Sequence, residues 1–595
     1  MTIGFQIAQT MKTEPKTTLV HLHNHSDASL LDGLSKVPDI IQRAKELGHS
    51  SIAITDHGNL FNAWNFYQEA KKHGIKPIIG VEAYITPKIS DTSRKQHHIT
   101  LLAKNANGVC TLNKLMTLAN TYGFYYYPRI DLEMLFNNKE DIIVLSGCLG
   151  GLISQACLKG DMETAHKLTM QFQEQFGDDF YMEIQDSGLP EQEIVKPCLR
   201  GLAVEFGILP VASSDAHYTR HEDALTQEIL LTSGQRKKMS DPVRGYDDFG
   251  DKEARDTSRW KFTSEDYYLK DRSELSSLFT EDELDATLTI ADKCNVEFGE
   301  KKDHTPVFET PDGQTPIKYL IQQCVAGWKA LGVDAYPNAE DYKKRIRHEL
   351  KDIEDGNLAS YFLIVWDVCR FCRESGIRVG DGRGSAVGSL VSYVLGIHRC
   401  DPIKYGLIWE RFYNAARKGA MPDIDLDIET ERREEVIEYV RKRYGENRVF
   451  QFITYDTFKI KNAIKDIGRV LGYSLDETQE MSDAVPFKYT SFADACEQSP
   501  ALQKFADEHP ELFKHVKRIE NVKKAKSSHA SAVLICDEDV FETGCIPLSY
   551  DAKNKKLVTG FDMYTLEDMG YLKLDILGLK TVSVLNEVER LVNGS

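Results

Sequence analysis

Between residues 18 and 300 short apolar runs alternate with amphipathic stretches, and this alternation constrains the architecture more than any other feature. "SIAIT" (51–55), "KPIIGVEAYI" (76–85), "HITLLA" (98–103), "DIIVLS" (141–146) and "LPVAS" (209–213) read as strands. "KVPDIIQRAKELG", "NAWNFYQEAKKHG" and "AHKLTMQFQEQFG" repeat apolar residues at helical spacing and stop at glycine. Strands separated by helices predict parallel pairing through helical crossovers, in a barrel or an open sheet. At 595 residues the chain exceeds a single core, so further domains follow. A charged excursion occupies 236–259, and "FGEKKDHTPVFETPDGQTP" (298–316) reads as the linker to a second, mixed region. There "DYKKRIRHELKDIEDG" and "SYFLIVWDVCRFCRESG" read as helices, and residues 457–525 as a mostly helical, charged insertion.

Histidines and carboxylates gather at the ends of the strands in the first region. They lie in "HLHNHS", "LLDG", "TDHG", "GVEAY", "HHIT", "SGCLGG" and "SSDAHY". In parallel barrels the loops after the strands build the site, and His-x-His in an extended segment points both rings one way. Mixed imidazole, carboxylate and thiolate donors suit Zn²⁺ or Mn²⁺ better than Mg²⁺. Such clusters activate water at neutral pH and clamp a phosphate, which makes this region a candidate phosphoesterase.

"MPDIDLDIE" (421–429) is the second concentration of charge. Asp423, Asp425 and Asp427 alternate with aliphatic residues, so an extended chain puts the carboxylates on one face and Ile424, Leu426 and Ile428 on the other. Two divalent ions about 4 Å apart relieve the repulsion, and oxygen-only donors point to two Mg²⁺. Asp575, alone in the apolar run "YLKLDILGLK", is the natural complement, because an unpaired buried charge costs several kcal/mol. "GDGRGSAVGSLVSYVLGI" runs from a glycine-rich turn into an apolar helix. Its amides, with Arg383, Gly384, Ser385 and Ser389, form a candidate phosphate cradle. Arg411, Lys461, Lys465 and Arg469 are candidate cations for a triphosphate.

Composition narrows the setting. No run of eighteen apolar residues predicts a membrane span. The 12 cysteines form no disulfide framework and the N-terminus lacks a secretion signal, so a reducing cytoplasm is expected. The net charge of −18 argues against nucleic acid as a partner unless contact is local.

"HLHNHSDASLLDGL", "ITDHGNLFNAWNFYQEAKKHGIKPIIGVEAY", "HHITLLAKN", "SGCLGG" and "SSDAHYT" resemble the polymerase and histidinol phosphatase (PHP) domain, in the version carried by bacterial family C replicative DNA polymerases. The "GRGS…GS" turn, the "PDIDLD" and "K-x-D-x-L-G-L" strands, "YFLIVWD" and "KSSHASAVLI" resemble the same family's palm and its thumb return. The resemblance implies a distorted parallel β/α PHP barrel over 18–300, after an extension at 1–17. It further implies an α+β nucleotidyltransferase-like palm at 301–450 and 526–595, with a helical thumb inserted at 451–525. It implies up to three Zn²⁺ or Mn²⁺ ions on His23, His25, Asp32, His57, Glu82, His98, Cys148, Asp215 and His217, with 3′→5′ exonuclease activity. It makes Asp423, Asp425 and Asp575 catalytic, with Asp427 a lesser substitute, and puts Lys573, Arg383 and Arg411 on the incoming nucleotide. Implied partners are primer–template DNA, dNTPs, and a sliding clamp with other replisome proteins. Family members continue into fingers and clamp-binding regions, so a truncated or split polymerase is expected. The alternatives are a metal-dependent exonuclease with a DNA-binding but inactive palm, and a docking subunit.

Overall fold

A computed structural model of the chain describes residues 19–92, 97–244, 256–299, 302–414 and 422–593. The extension expected at 1–17 and part of the 236–259 excursion lie outside the described residues. The chain forms two compact units, Met1–Phe298 with Tyr455–Lys526, and Gly299–Thr454 with Ser527–Ser595.

The first unit is built on β1 (Ser51–Ile54), β2 (Lys76–Thr86), β3 (His97–Ala103), β4 (Phe124–Tyr125), β5 (Tyr127–Asp131), β6 (Ile142–Leu145), β7 (Phe180–Gln185) and β8 (Pro210–Ser213). The order is β4-β5-β2-β3-β6-β7-β8, with β1 also on β2. The N-terminal segment joins β1 to the stretch after β8. The carbonyls of His21 and Asn24 accept from Ala53 within β1 and Thr55 just past it, while the His25 amide donates to the Ala216 carbonyl beyond β8.

Pairing is parallel at β1–β2, β2–β5, β6–β7 and β7–β8. The expectation of parallel strands fails at β3, which is antiparallel to β2 and β6. The described residues between β2 and β3 contain no crossover helix, and a chain that doubles back without one lands antiparallel. The reversal has a consequence for the site. The first residues of β3 sit at the rim where the parallel strands finish, so His98 faces Tyr84 and Thr100 faces Glu82.

The insertion is no separate body. Its helix Ile460–Leu471 buries Ile460, Ala463, Ile464, Ile467 and Val470, a stripe at helical spacing. That stripe shares one core with Leu34, Ile229 and Leu230. Arg518 fixes the contact, donating to both oxygens of Asp223 at 2.8 and 3.0 Å and to Asp39 at 2.9 Å. Two thiols expected to be free, Cys157 and Cys198, are joined, with Cα atoms 6.1 Å apart. They come from helices Leu152–Leu158 and Pro190–Phe206, which pack together. Cys369 and Cys372 are buried on a single helix.

The second unit carries β9 (Asp425–Ile428), β10 (Val449–Thr457), β11 (Lys523–Ile535), β12 (Leu548–Asp551), β13 (Lys556–Asp562) and β14 (Leu572–Gly578), ordered β12-β13-β10-β11-β14-β9. Ile424, Leu426 and Ile428 are buried with Leu572, Leu574 and Ile576 against the helices Ala359–Glu374 and Arg433–Tyr444. The period-2 pattern thus puts one face of β9 and β14 into the core and turns their carboxylates outward. Among the described residues no helix is long and apolar enough to cross a membrane.

Candidate metal centres

In the first unit the nine candidate ligands form one network around Glu82. His23 gives its Nδ1 to Glu183 (2.7 Å), which turns Nε2 toward Glu82 and Asp215, 3.4 Å from each. His25 uses Nδ1 on Ser29 (2.9 Å) and brings Nε2 within 3.1 Å of Asp215. His217 donates Nδ1 to the Asp215 carbonyl (2.8 Å). His57 lies between Asp32 (3.3 Å) and Glu82 (2.5 Å). His98 is 2.9 Å from Glu82, and the Cys148 sulfur is 3.4 Å from His98. Tying one ring nitrogen fixes the tautomer and leaves the other lone pair for a ligand.

Donors on one ion at about 2.1 Å lie within about 4.2 Å of each other. Three donor sets satisfy a mutual limit of 4.8 Å, namely His25, His57 and His217, then His23, His25 and Asp215, then His57, Glu82 and His98. The Nε2 of His23 is buried without a hydrogen-bond partner. Such an orphan is costly unless something else fills the position, so the residues fit a polynuclear cation site. Burial disfavours the charged His57 ring, but Glu82 and Asp32 outweigh it and raise its pKa to about 10. Burial also works against the Glu82 carboxylate, yet His98, His57 and His23 hold it well below its usual range. Asp215 occupies the left-handed region at φ 49, a cost that clusters at functional sites.

Three neighbours do other work. Asp56 accepts from the Ser26 amide and hydroxyl and from Ser29, bracing the loop that orients His25. His21 bonds the Lys270 carbonyl and His97 the Gly150 carbonyl.

In the second unit the parallel register pairs Asp575 with Asp425 and Leu577 with Asp427. Oxygens of Asp423, Asp425 and Asp575 lie within 4.8 Å of one another. Two side-chain cations hold this acidic face. Arg383 reaches Asp425 (3.0 Å) and Asp427 (3.1 Å), and Lys573 lies 3.3 Å from both Asp423 and Asp575. Asp427 is therefore the anchor of Arg383 and lies outside the three-carboxylate group. Burial raises the Asp425 carboxyl against the pull of Arg383, and burial with Asp423 raises Asp575. Crowded acids with raised pKa values are what divalent ions would relieve. Gly384, at φ 71, brings the turn so close that a Cβ there would sit 3.0 Å from Asp425.

The expected phosphate cradle is built differently. The glycine-rich stretch continues into a 3₁₀ turn at Ala386–Gly388 and a five-residue helix, Leu390–Val394. The amides that open this helix are already occupied. Glu349, fully buried, accepts from Leu390 and Val391 at 2.9 Å each, from the Ser389 hydroxyl at 3.0 Å and from Arg345 at 2.7 Å. Ser389 is thus taken up by the fold, while Arg383, Gly384 and Ser385 remain on the turn facing β9. Arg411 is exposed in the turn Trp409–Arg411. Lys461, Lys465 and Arg469 belong to the first unit. There the two lysines are exposed, and Arg469 donates to the Lys237 carbonyl at 3.1 Å.

Sequence reasoning missed three supporting residues. Glu183 is a lone acid in the apolar run "FYMEIQ", the signal that singled out Asp575, whereas Glu349 is hidden among the charged residues of "DYKKRIRHELKDIEDG". Tyr361 accepts from the Ile424 amide at 2.8 Å and holds the start of the aspartate strand; it opens the "YFLIVWD" motif, but nothing local assigns its hydroxyl that role.

Residues 318–578 match the family described as the bacterial DNA polymerase III alpha NTPase domain, and residues 21–187 match the PHP domain. The chain is similar to the DNA polymerase III subunit alpha of Borreliella burgdorferi, 37% identical over 97% of this chain and 50% of that protein. The Treponema pallidum subunit alpha is also 37% identical, over 97% and 48%. That of Thermus aquaticus is 34% identical, over 98% and 52%. The chain spans about half the length of the curated relatives it matches.

Proposed function

The chain belongs to the bacterial DNA polymerase III alpha family, and on that premise we propose that its second unit performs template-directed deoxynucleotidyl transfer to a primer 3′-OH. The observation that carries this reading is the meeting of Asp423, Asp425 and Asp575 across the parallel β9–β14 pair. These three would hold two Mg²⁺, which when bound supply the Lewis acidity that activates the 3′-hydroxyl and stabilises the leaving pyrophosphate. Arg383, steadied by Asp427, and Lys573 offer cations to the triphosphate, with Gly384 letting the turn approach. Ser385 and Arg411 are assigned lesser contacts with the triphosphate, and Lys461, Lys465 and Arg469, which lie in the first unit, remain candidate cations only.

The PHP assignment is extended to 18–300, the palm to 301–450 and 526–595, and the thumb to 451–525. The nine-residue cluster would hold up to three Zn²⁺ or Mn²⁺ and serve a 3′→5′ exonuclease. Its imidazole-rich donors favour those ions, as the all-carboxylate set favours Mg²⁺. Primer–template DNA, dNTPs, a sliding clamp and the remaining half of the relatives' length are the partners, in the cytoplasm.

Primer extension tests the reading, with the polypeptide covering the rest of the relatives' length fused or supplied in trans. Asp425→Ala should lower extension about 10²- to 10³-fold, on the scale of losing a principal electrostatic contributor, and leave 3′→5′ hydrolysis intact. His23→Ala should do the reverse. Unchanged extension in Asp425→Ala would remove the polymerase assignment and leave an exonuclease with an inactive palm.

A further inference from the structure

The sequence "YGFYYYPR" (122–129) forms an edge hairpin beside the PHP metal cluster, and no step above uses it. Tyr125 pairs with Tyr127 across a turn whose apex is Tyr126. A bulky residue there would normally give way to glycine, yet Tyr126 holds φ 64. Tyr126 is 57% exposed and Tyr127 41%. From Tyr127 the rings lead inward. Tyr84 lies 5.0 Å from Tyr127, 5.2 Å from His98 and 6.1 Å from His57, in near-parallel array with the last. Gly58 makes room for this, because a Cβ at its φ of +57 would come within 2.8 Å of the Tyr84 ring. Arg129 lies over Tyr125 at 5.2 Å, its nitrogens bound to the Asp91 and Gly123 carbonyls. The hairpin is therefore braced from behind while aromatic faces continue outward from the histidines.

We propose that Tyr84 and Tyr127 form a base-stacking shelf that receives the 3′-terminal nucleotides of single-stranded DNA and sets the scissile phosphate on the PHP cluster. The inference rests on the phosphoesterase reading of that cluster and names its substrate class. Three features favour this occupant. Ring faces bind bases without regard to sequence, a backbone of that charge is what a cation cluster attracts, and a duplex end would keep its terminal bases stacked inside the helix, away from the shelf. Strain at an exposed aromatic turn adds weight, since such cost persists where the turn has a task.

The test uses the whole chain, stripped of divalent ions with a chelator, and a short single-stranded oligodeoxynucleotide carrying 2-aminopurine at its 3′ end. Stacking quenches the probe. Tyr127→Ala should weaken the quenched complex about 5- to 160-fold, the worth of one base–aromatic stack. Tyr127→Phe should retain it, and an oligonucleotide abasic at the 3′ end, measured by fluorescence anisotropy of a 5′ dye, should bind wild type and Tyr127→Ala alike. An unchanged quench in Tyr127→Ala, or equal weakening of intact and abasic DNA, overturns the shelf. The phosphoesterase reading fails separately, if wild-type protein reloaded with Mn²⁺ hydrolyses no phosphodiester while the quench persists.

Discussion

Replacing Glu349 by glutamine exchanges one carboxylate oxygen for an NH₂ at the point where four donors converge. Arg345 and Leu390 donate to one oxygen, Ser389 and Val391 to the other. The best glutamine rotamer keeps the first pair and turns the NH₂ toward the second. The Ser389 hydroxyl can rotate to accept, but the Val391 amide cannot, and it becomes a buried donor without a partner. That costs about 1–3 kcal/mol, and the neutral acceptor weakens the bond from Arg345 by about another 1 kcal/mol. Burial pushes the Glu349 carboxyl up while the two amides and Arg345 oppose it, so the loss sits on the ionised form the donors were built around. A local penalty of about 2–4 kcal/mol speeds amide exchange about 30- to 900-fold. Hydrogen–deuterium exchange of the peptide covering 383–394 reads this directly. The glycine-rich turn leads out of the same helix start, so the nucleotide KM should rise together with the loss of protection. If exchange across 383–394 stays within about threefold of wild type, Glu349 does not brace the turn and the account of the occupied cradle is wrong.

Glu183→Gln should weaken metal binding in the first unit about 10- to 100-fold by isothermal titration, because it loosens the His23 tautomer without removing a ligand; unchanged affinity would make Glu183 a bystander. Burial lowers the His398 pKa from 6.5 to about 4, so the second unit folds around a neutral ring. Its contribution is complete above pH 6.5 and is lost as pH falls from 6.5 toward 4, where the unfolded chain takes up the proton first. His398→Gln should flatten the urea midpoint of the second unit over that window, and an unaltered slope would contradict the assignment.

The two candidate metal rims were legible because their signals are local. His-x-His in an extended segment, aspartates at every second position and a single charge in an apolar strand each state a geometry within a few residues. Long-range choices were not legible. The direction of β3 depends on whether a crossover helix forms between it and β2. The filling of the Leu390 helix start depends on an acid 41 residues earlier. The merging of the insertion with the first unit rests on Leu34, Ile229 and Leu230 meeting Ile464 and Ile467, apolar residues that resemble any others in a core. The aspartate pattern announces a crowded acidic face but not the two side chains that meet it, Arg383 on Asp425 and Lys573 on Asp575.

The most direct measurement of the central claim is anomalous diffraction from crystals of the chain soaked in Mn²⁺ with a non-hydrolysable deoxynucleoside triphosphate. Two peaks about 3.5–4 Å apart, bounded by Asp423, Asp425 and Asp575 and absent from Asp425→Ala crystals, are the expected result. Triphosphate density on the turn with no ion among those carboxylates would contradict it.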